Sequence, residues 1–175
     1  RGLTQAEREG AGTIIFHMDT PGGSVAVCEE IVRLLIDLPE NVKTITYVDK
    51  DALSAGALIA VATDEIYMAP GSRIGASAMI SILGDIPEGD MKEKHVSSME
   101  ALILSAARRN GHDEELVRAM IRRDVEYSIG KEILCPKGQL LTLSDIDAIR
   151  PVPGKEGKTL LAKEIVKSID DLYGI

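Results

Sequence analysis

The chain has 175 residues, of which 45% are apolar and 27% charged, and its formal net charge is −8. This length and composition fit one globular domain with an aliphatic core and exclude a disordered chain. The acidic balance argues against nucleic-acid binding, because a protein that binds phosphates needs a basic surface. Two cysteines, Cys28 and Cys135, are too few for a cysteine-ligated metal cluster or a disulfide framework, so we expect two buried free thiols.

The first half of the chain predicts alternating strands and helices. Residues 13–18 are a β-branched and aromatic run typical of a buried strand, and residues 43–48 and 65–68 predict a second and a third strand. Apolar residues recur at helical spacing after Ser24, which can cap that helix, and residues 54–62 predict a second, tightly packed helix. This order of elements is typical of a parallel sheet whose strands are joined by helical crossovers.

The second half of the chain is predicted to be mainly helical. Residues 77–90 contain two glycines and a proline, and they predict an irregular flap. Residues 94–110 predict a long helix, and Asp113 is expected to cap another. Further on, residues 139–143 predict a strand and residues 163–173 a terminal amphipathic helix.

A turn rich in glycine lies between the first strand and the first long helix. Its sequence is Asp-Thr-Pro-Gly-Gly-Ser, at residues 19–24. The consecutive glycines Gly22 and Gly23 let the backbone expose N–H groups, which can bind an anion or a developing oxyanion. The turn matches neither a GxxxxGK[ST] loop nor GxGxxG, and a plain tight turn is an equally good interpretation of these residues alone.

Ser54 lies at the join of a loop and a buried helix and is followed by the small residues Ala55 and Gly56. Small neighbours let a serine hydroxyl project and let a substrate carbonyl approach it, as a nucleophile requires. In this arrangement the Ala55 N–H points to the same place as the Gly23 N–H. A helix N-cap is the commoner role for such a serine.

A serine nucleophile needs a general base. Among the histidines, His17 fits a structural role in its strand, and His112 is expected in an exposed turn, which leaves His95 as the histidine that competes for this role. A lysine is the other candidate, since burial lowers the pKa of a lysine from about 10.4 toward neutrality. Lys94 opens the long helix directly after the flap, with Lys92 in reserve, although a surface lysine is the commoner interpretation of the spacing alone.

Three motifs together resemble the Clp-protease/crotonase superfamily, and above all the N-terminal protease domain of NfeD-type membrane-bound proteases. The motifs are HMDTPGG at residues 17–23, SAG at residues 54–56 and MAPGSRIGA at residues 68–76. The helix at residues 94–111 is similar to the lysine-bearing helix of that family, and the resemblance spans nearly the whole chain. It implies an α/β, ClpP/crotonase-like fold of stacked ββα units with a mostly parallel sheet flanked by helices. We expect residues 1–175 to form a single domain of this kind, truncated at its N-terminus.

The resemblance implies a serine endopeptidase with a Ser–Lys dyad and no cofactor or metal. Ser54 matches the nucleophile and Lys94 the general base, while Gly23 and Ala55 match the positions whose N–H groups form the oxyanion hole. Substrate contacts are expected from the glycine turn and the flap, at Gly22, Ser24, Met79 and Ile80.

The family's substrates are hydrophobic peptide segments, including the C-terminal apolar region of stomatin-like membrane proteins. The expected partners are therefore an apolar peptide or membrane protein and further copies of the chain. Full-length members carry membrane spans, which implies attachment to a membrane through segments outside this sequence, with the protease domain on the extracytoplasmic side. Clp proteases proper are less similar, because they place a histidine about two dozen residues after the serine, where this chain has none.

Three alternatives stay open from the sequence. A signal-peptide-peptidase-like protease would use the same Ser–Lys chemistry. A crotonase-type CoA enzyme would share the oxyanion-hole scaffold but would place an acidic residue as the base. A non-catalytic module would keep the fold for oligomerisation or for docking to membrane proteins.

Overall fold

A computed structural model describes residues 2–77 and 90–173 of the chain. Helices and strands alternate from the first helix to the third strand, as the sequence predicted. In chain order the described elements are α1 (Gly2–Arg8), β1 (Thr13–Thr20), α2 (Val25–Ile36), β2 (Lys43–Leu53), α3 (Ala55–Ala60), β3 (Glu65–Met68), β4 (Arg73–Gly75), α4 (Asp90–Arg109), α5 (Glu114–Ile121), β5 (Tyr127–Ile129), β6 (Glu132–Cys135), β7 (Thr142–Ser144), α6 (Asp145–Ala148), β8 (Glu164–Ile165) and a short 3-10 helix (Ile169–Leu172).

Six of the described strands form one sheet around β2. β2 pairs in parallel with β1 along one edge. Along its other edge it pairs in parallel with β3 through residues 45–48 and with β4 through residues 51–53. β8 adds to β3 in parallel, whereas β7 runs antiparallel to β4. The mostly parallel sheet predicted from the sequence is therefore confirmed.

Side chains on both faces of the sheet are buried. On one face, aliphatic residues such as Val48 and Ile66 pack in a large core with residues of α2, α3, α4 and α5. On the other face, Tyr47 and Tyr67 form a smaller cluster with Leu172 of the 3-10 helix. Successive strand residues point to opposite faces, so Tyr47 and Val48 enter different clusters. This double coverage explains why residues 44–48 of β2 and 66–68 of β3 are all buried, rather than alternately buried and exposed.

Two arginines of the α5 region fix α4 through a buried carboxylate. The Glu100 side chain is only 7% exposed, and it accepts hydrogen bonds from Arg118 at 2.8 Å and from Arg122 at 2.6 Å. Arg122 also pairs with Glu93 at 2.9 Å. Removal of one partner from such a group leaves a buried charge without compensation, which is strongly destabilising. The helix that carries Lys94 is thus held against α5 by ion pairs as well as by apolar packing.

The two caps predicted from the sequence differ in outcome. The Asp113 side chain accepts hydrogen bonds from the N–H groups of Glu115 at 2.9 Å and Leu116 at 3.4 Å, so it caps α5 as predicted. Ser24 occupies the N-cap position of α2, but its side chain makes no capping hydrogen bond. The capping role expected for Ser24 is therefore wrong, although the helix begins where predicted.

The helix predicted over residues 163–173 is wrong. Glu164 and Ile165 instead form β8, in register with Tyr67 and Met68 of β3. The edge of β3 offers backbone hydrogen bonds that a surface helix would leave unused. The 3-10 helix then begins after Ser168, whose hydroxyl accepts a hydrogen bond from the Asp170 N–H at 3.1 Å.

Short strands were missed or shifted in the sequence prediction. β4 has three residues and was not predicted, and neither was the hairpin of β5 and β6 around Gly130. The strand expected at residues 139–143 begins only at Thr142.

Most of the flap predicted at residues 77–90 lies outside the described residues. Among the helices that the structure describes, none is long and apolar enough to cross a bilayer.

Gly75, the last residue of β4, is a site where we expect only glycine to be tolerated. It adopts φ +136°, and a Cβ there would lie 2.3 Å from the Leu141 carbonyl oxygen. We therefore expect Gly75→Ala to lower the free energy of unfolding by about 3 kcal/mol or more, measured by denaturant titration. Gly71→Ala is the matched control, because Gly71 has φ +80° but no atom within 4 Å of its added Cβ. The control should cost about 1 kcal/mol, and equal losses at the two sites would contradict the steric account.

Candidate active site

Ser54 joins the end of β2 to the start of α3 in a strained conformation. Its backbone has φ 53° and ψ −122°, which costs a residue other than glycine about 1–3 kcal/mol. Ser54 occupies the N-cap position of α3, yet its side chain makes no capping hydrogen bond. The hydrogen bonds that connect Ser54 with other described residues all use its backbone. The Ser54 side chain therefore does not cap α3, although capping is the common structural role of a serine at this position.

The glycine turn lies directly against Ser54. A Cβ added to Gly22, which has φ +126°, would be 2.7 Å from the Ser54 Cβ and 3.2 Å from its Oγ. The Thr20 hydroxyl stabilises the turn, since it accepts a hydrogen bond from the Gly22 N–H at 3.1 Å and donates to the Gly22 carbonyl at 3.2 Å. The Thr20 methyl group in turn approaches α3 at Gly56, where an added Cβ would lie 2.5 Å from it. The structure thus brings together the two motifs that the sequence singled out.

Gly23 and Ala55, the two residues of the predicted oxyanion hole, line a cleft next to Ser54. We call this the Ser54 cleft, a cavity of about 110 Å³ between β1, the glycine turn, α2 and α3. Gly23 and Ala55 both line it, and among the described residues neither N–H has a backbone acceptor. The residues that line the cleft are Met18, Thr20, Gly22, Gly23, Ser24, Val27, Cys28, Ala55, Gly56 and Ile59. The cleft thus has several apolar lining residues and includes two residues whose N–H groups lack a backbone acceptor in the described structure.

No hydrogen bond between described residues joins Lys94, the general base of the sequence prediction, to Ser54. Lys94 lies in α4 with an exposed side chain, and no hydrogen bond or ion pair between described residues involves it. The Lys92 side chain, Met79 and Ile80 lie outside the described part of the chain. The roles assigned to these four residues therefore stay predictions.

None of the three histidines contacts Ser54 among the described residues. His17 is exposed on β1, with its Nε2 3.5 Å from an Asp49 carboxylate oxygen, which fits the predicted structural role. His95 is exposed on α4. His112 lies between α4 and α5, as predicted, but it is half-buried rather than exposed. Its Nε2 lies 3.1 Å from the Thr63 carbonyl oxygen, and burial lowers its pKa.

Ser77 is the residue near the site that the sequence analysis missed. It is 1% exposed, and its hydroxyl donates a hydrogen bond to the Ser54 carbonyl at 3.0 Å. Gly75 lies two residues before Ser77, and its carbonyl accepts a hydrogen bond from the Ser54 N–H, also at 3.0 Å. These contacts depend on the pairing of β2 with β4, which no local pattern in the sequence indicates.

Both cysteines are buried free thiols, as predicted. Cys28 is one of the residues that line the Ser54 cleft, and its thiol donates to the Ala55 carbonyl at 3.7 Å. Burial raises its pKa to about 12, and burial also raises the pKa of Cys135. No group of three His, Cys, Asp or Glu side chains within residues 2–77 and 90–173 is arranged to hold a metal ion.

A family model described as the N-terminal domain of NfeD1b matches residues 1–171. The chain belongs to this family. Membrane protein NfeD1b of Bacillus subtilis (strain 168) is 35% identical over 169 residues, which cover 97% of this chain and 36% of that protein. Membrane-bound protease PH1510 of Pyrococcus horikoshii is 34% identical over 134 residues, which cover 73% of this chain and 30% of that protein. The chain spans about a third of the length of these two relatives.

Solved structures similar to this NfeD1b-type domain have a ClpP-like fold. A serine-to-alanine mutant of the 1510-N membrane-bound stomatin-specific protease from Pyrococcus horikoshii has a TM-score of 0.70 and 26% identity, covering 98% of this chain and 72% of that one. A lysine-to-alanine mutant with a bound substrate peptide has a TM-score of 0.68 and 26% identity, covering 98% and 68%. ClpP1 from Listeria monocytogenes has a TM-score of 0.60 at 18% identity, covering 97% and 82%. The last likeness is one of fold alone, and it confirms the fold expected from the sequence.

The buried thiols give a test of the packing behind the Ser54 cleft. With a pKa of about 12, Cys28 is almost entirely protonated at pH 8, and the thiolate is the reactive form. We expect neither cysteine to react with an aromatic disulfide reagent within an hour in the native chain, and both to react at once in guanidinium chloride. Rapid reaction of one thiol in the native chain, followed by absorbance, would contradict this packing.

Proposed function

We propose that this domain is a serine endopeptidase that cleaves apolar peptide segments, with Ser54 as nucleophile and Lys94 as general base. One observation carries the proposal: a strained serine without a capping bond lies beside two N–H groups that lack backbone acceptors among the described residues. The relatives support it, since one is named a membrane-bound protease. The solved structures of the 1510-N protease include a serine mutant and a lysine mutant.

The proposed reaction is acyl transfer through a covalent intermediate. The neutral amine of Lys94 takes the proton of the Ser54 hydroxyl while the oxygen attacks the substrate carbonyl carbon. The N–H groups of Gly23 and Ala55 donate to the resulting oxyanion, and loss of one such donor typically costs about 3–4 kcal/mol. Lys94 then gives its proton to the leaving amine. A water molecule hydrolyses the acyl-enzyme, and its proton passes through Lys94 back to Ser54.

The role of Lys94 requires that its amine be shielded from water when a peptide is bound, because desolvation favours the neutral form of a lysine. The side chain of Lys94 is exposed, and Lys94 is the fifth residue of α4. This helix begins directly after residues 78–89 in the chain. Met79 and Ile80 belong to those residues, and we propose that they contact the substrate. An apolar peptide covered by these side chains would exclude water from the amine.

The walls of the Ser54 cleft support an apolar substrate. Met18, Val27 and Ile59 line the cleft next to the two N–H groups, and its volume of about 110 Å³ fits a small or medium aliphatic side chain. The backbone of Gly22 and Ser24 would contact the peptide at the mouth of the cleft. Because the 1510-N protease is named as specific for stomatin, we propose apolar segments of stomatin-like membrane proteins as substrates.

The surroundings of the domain are also proposals. Both curated relatives are named as membrane or membrane-bound proteins, which supports a membrane-associated parent protein. We further propose that its peptidase domain lies on the extracytoplasmic side. The ClpP-like fold supports assembly into a homo-oligomer.

The dyad predicts the kinetics of matched variants. With an apolar peptide as substrate, we expect Ser54→Ala and Lys94→Ala each to lower kcat/KM at least about a thousandfold, because each removes a group of the proton-transfer pair. Lys155→Ala is the control, since Lys155 is exposed in a loop, and it should stay within about twofold of the wild type. Lys92→Ala tests the reserve base. Full activity in both the Ser54 and the Lys94 variants would contradict the dyad.

Covalent labelling separates the alternatives. A fluorophosphonate should label the wild-type chain and not Ser54→Ala, as read by intact-protein mass spectrometry. A chain that resists labelling but gains thermal stability with an acyl-CoA would favour the crotonase-type enzyme. A chain with neither property and no measurable turnover would favour the docking module.

A further inference from the structure

One short segment holds both backbone polar groups of Ser54. The Ser54 N–H donates to the Gly75 carbonyl at 3.0 Å, and the Ser54 carbonyl accepts the Ser77 hydroxyl at 3.0 Å. The Ser77 hydroxyl also lies 3.5 Å from the Gly75 carbonyl oxygen. Ser77 is 1% exposed, so these bonds are shielded from water, where hydrogen bonds are electrostatically stronger.

The segment itself is fixed from two sides. The Ala76 N–H donates to the Leu141 carbonyl at 2.9 Å, and the Ser77 N–H donates to the Met120 carbonyl at the end of α5 at 2.8 Å. Ala76 has φ 49°, and within the described chain it and Ser54 are the residues other than glycine with a positive φ. Ser54 therefore bonds to both chain neighbours of Ala76, the other residue with a positive φ. Strain of this kind persists in a folded protein only where surrounding contacts hold it.

The bond from Ser77 acts on the peptide group that supplies an oxyanion-hole donor. The carbonyl of Ser54 and the N–H of Ala55 belong to the same planar, trans peptide unit, so they point in opposite directions. A hydroxyl that fixes the direction of this carbonyl also fixes the direction of the Ala55 N–H. Because hydrogen bonds in a chain polarise one another, the same contact strengthens that N–H as a donor.

We propose that Ser77 is a positioning residue, whose hydroxyl orients the peptide between Ser54 and Ala55 so that its N–H meets the oxyanion. The carbonyl of Ser54 already accepts the N–H groups of Ala57 at 3.1 Å and Leu58 at 3.3 Å in the first turn of α3. The Ser77 bond is thus not needed to satisfy the carbonyl, and its effect is on direction. This inference rests on the function proposed for Ser54 and Ala55.

The kinetic test compares two buried serines. Ser77→Ala should lower kcat for the apolar peptide and the rate of fluorophosphonate labelling about tenfold, with KM within about twofold, because the donor acts on the transition state. Ser72→Ala is the matched control: Ser72 is also 1% exposed and its hydroxyl donates to the Ala69 carbonyl at 2.8 Å. The Ser72→Ala control should stay within about twofold of the wild type in kcat, KM and labelling rate. Ser77→Cys, which keeps a weaker donor, should fall between the wild type and Ser77→Ala.

Hydrogen exchange gives a readout that does not depend on activity. The Ser54 amide should exchange at least about tenfold faster in Ser77→Ala than in the wild type, and at the wild-type rate in Ser72→Ala. Wild-type kcat, labelling and exchange in Ser77→Ala would overturn the inference. If Ser77→Ala does not fold, wild-type labelling and exchange in Ser77→Cys overturn it instead. Absence of labelling in the wild-type chain would overturn the proposed function, and with it the role of Ser77 in catalysis. The exchange rate of the Ser54 amide would then decide only whether the Ser77 hydroxyl holds the Ser54 backbone in place.

Discussion

The parallel pairing of β2 with β4 is the constraint on which the site depends. It sets Leu53 beside Gly75, so that the next residue, Ser54, meets the carbonyl at the end of β4. Gly75 in turn packs against the backbone at Leu141, where any side chain would clash. The strained conformation of Ser54 is thus a consequence of strand register, and the strand that imposes it is itself fixed by the segment before β7.

The energies involved are of similar size, which explains why the strain persists. A positive φ at a residue such as Ser54 costs about 1–3 kcal/mol. Each buried hydrogen bond contributes about 1 kcal/mol net, and an unsatisfied buried group costs more. Relaxation of Ser54 would break its bond to Gly75 and its bond from Ser77, and it would leave the Ser54 N–H without its acceptor. The hydrogen bonds that hold Ser54 are therefore large enough to offset the cost of its strained backbone.

The sequence could predict what depends on local pattern. The strand at β3, the helices α2 to α5 and the pairing of a glycine turn with Ser54 follow from periodicity, small residues and the family motifs. β4 could not be predicted, because three residues carry no periodic signal, and the contact of Ser77 with Ser54 could not be predicted without β4. The C-terminal segment was assigned wrongly for the opposite reason: its helical spacing is real, but the edge of β3 offers hydrogen bonds that override it.

The two halves of the proposed site have different supports, and α5 connects them. The proposed nucleophile Ser54 lies at the end of β2, and the proposed donors Gly23 and Ala55 lie in the turn after β1 and at the start of α3, with Ala55 in the large core. Lys94 belongs to α4, which ion pairs attach to α5 through Arg118 and Arg122. The carbonyl of Met120 in α5 also binds the N–H of Ser77, behind Ser54. A shift of α5 would therefore act on the lysine-bearing helix and on the strained serine together, so this helix links the position of the proposed base to that of the proposed nucleophile.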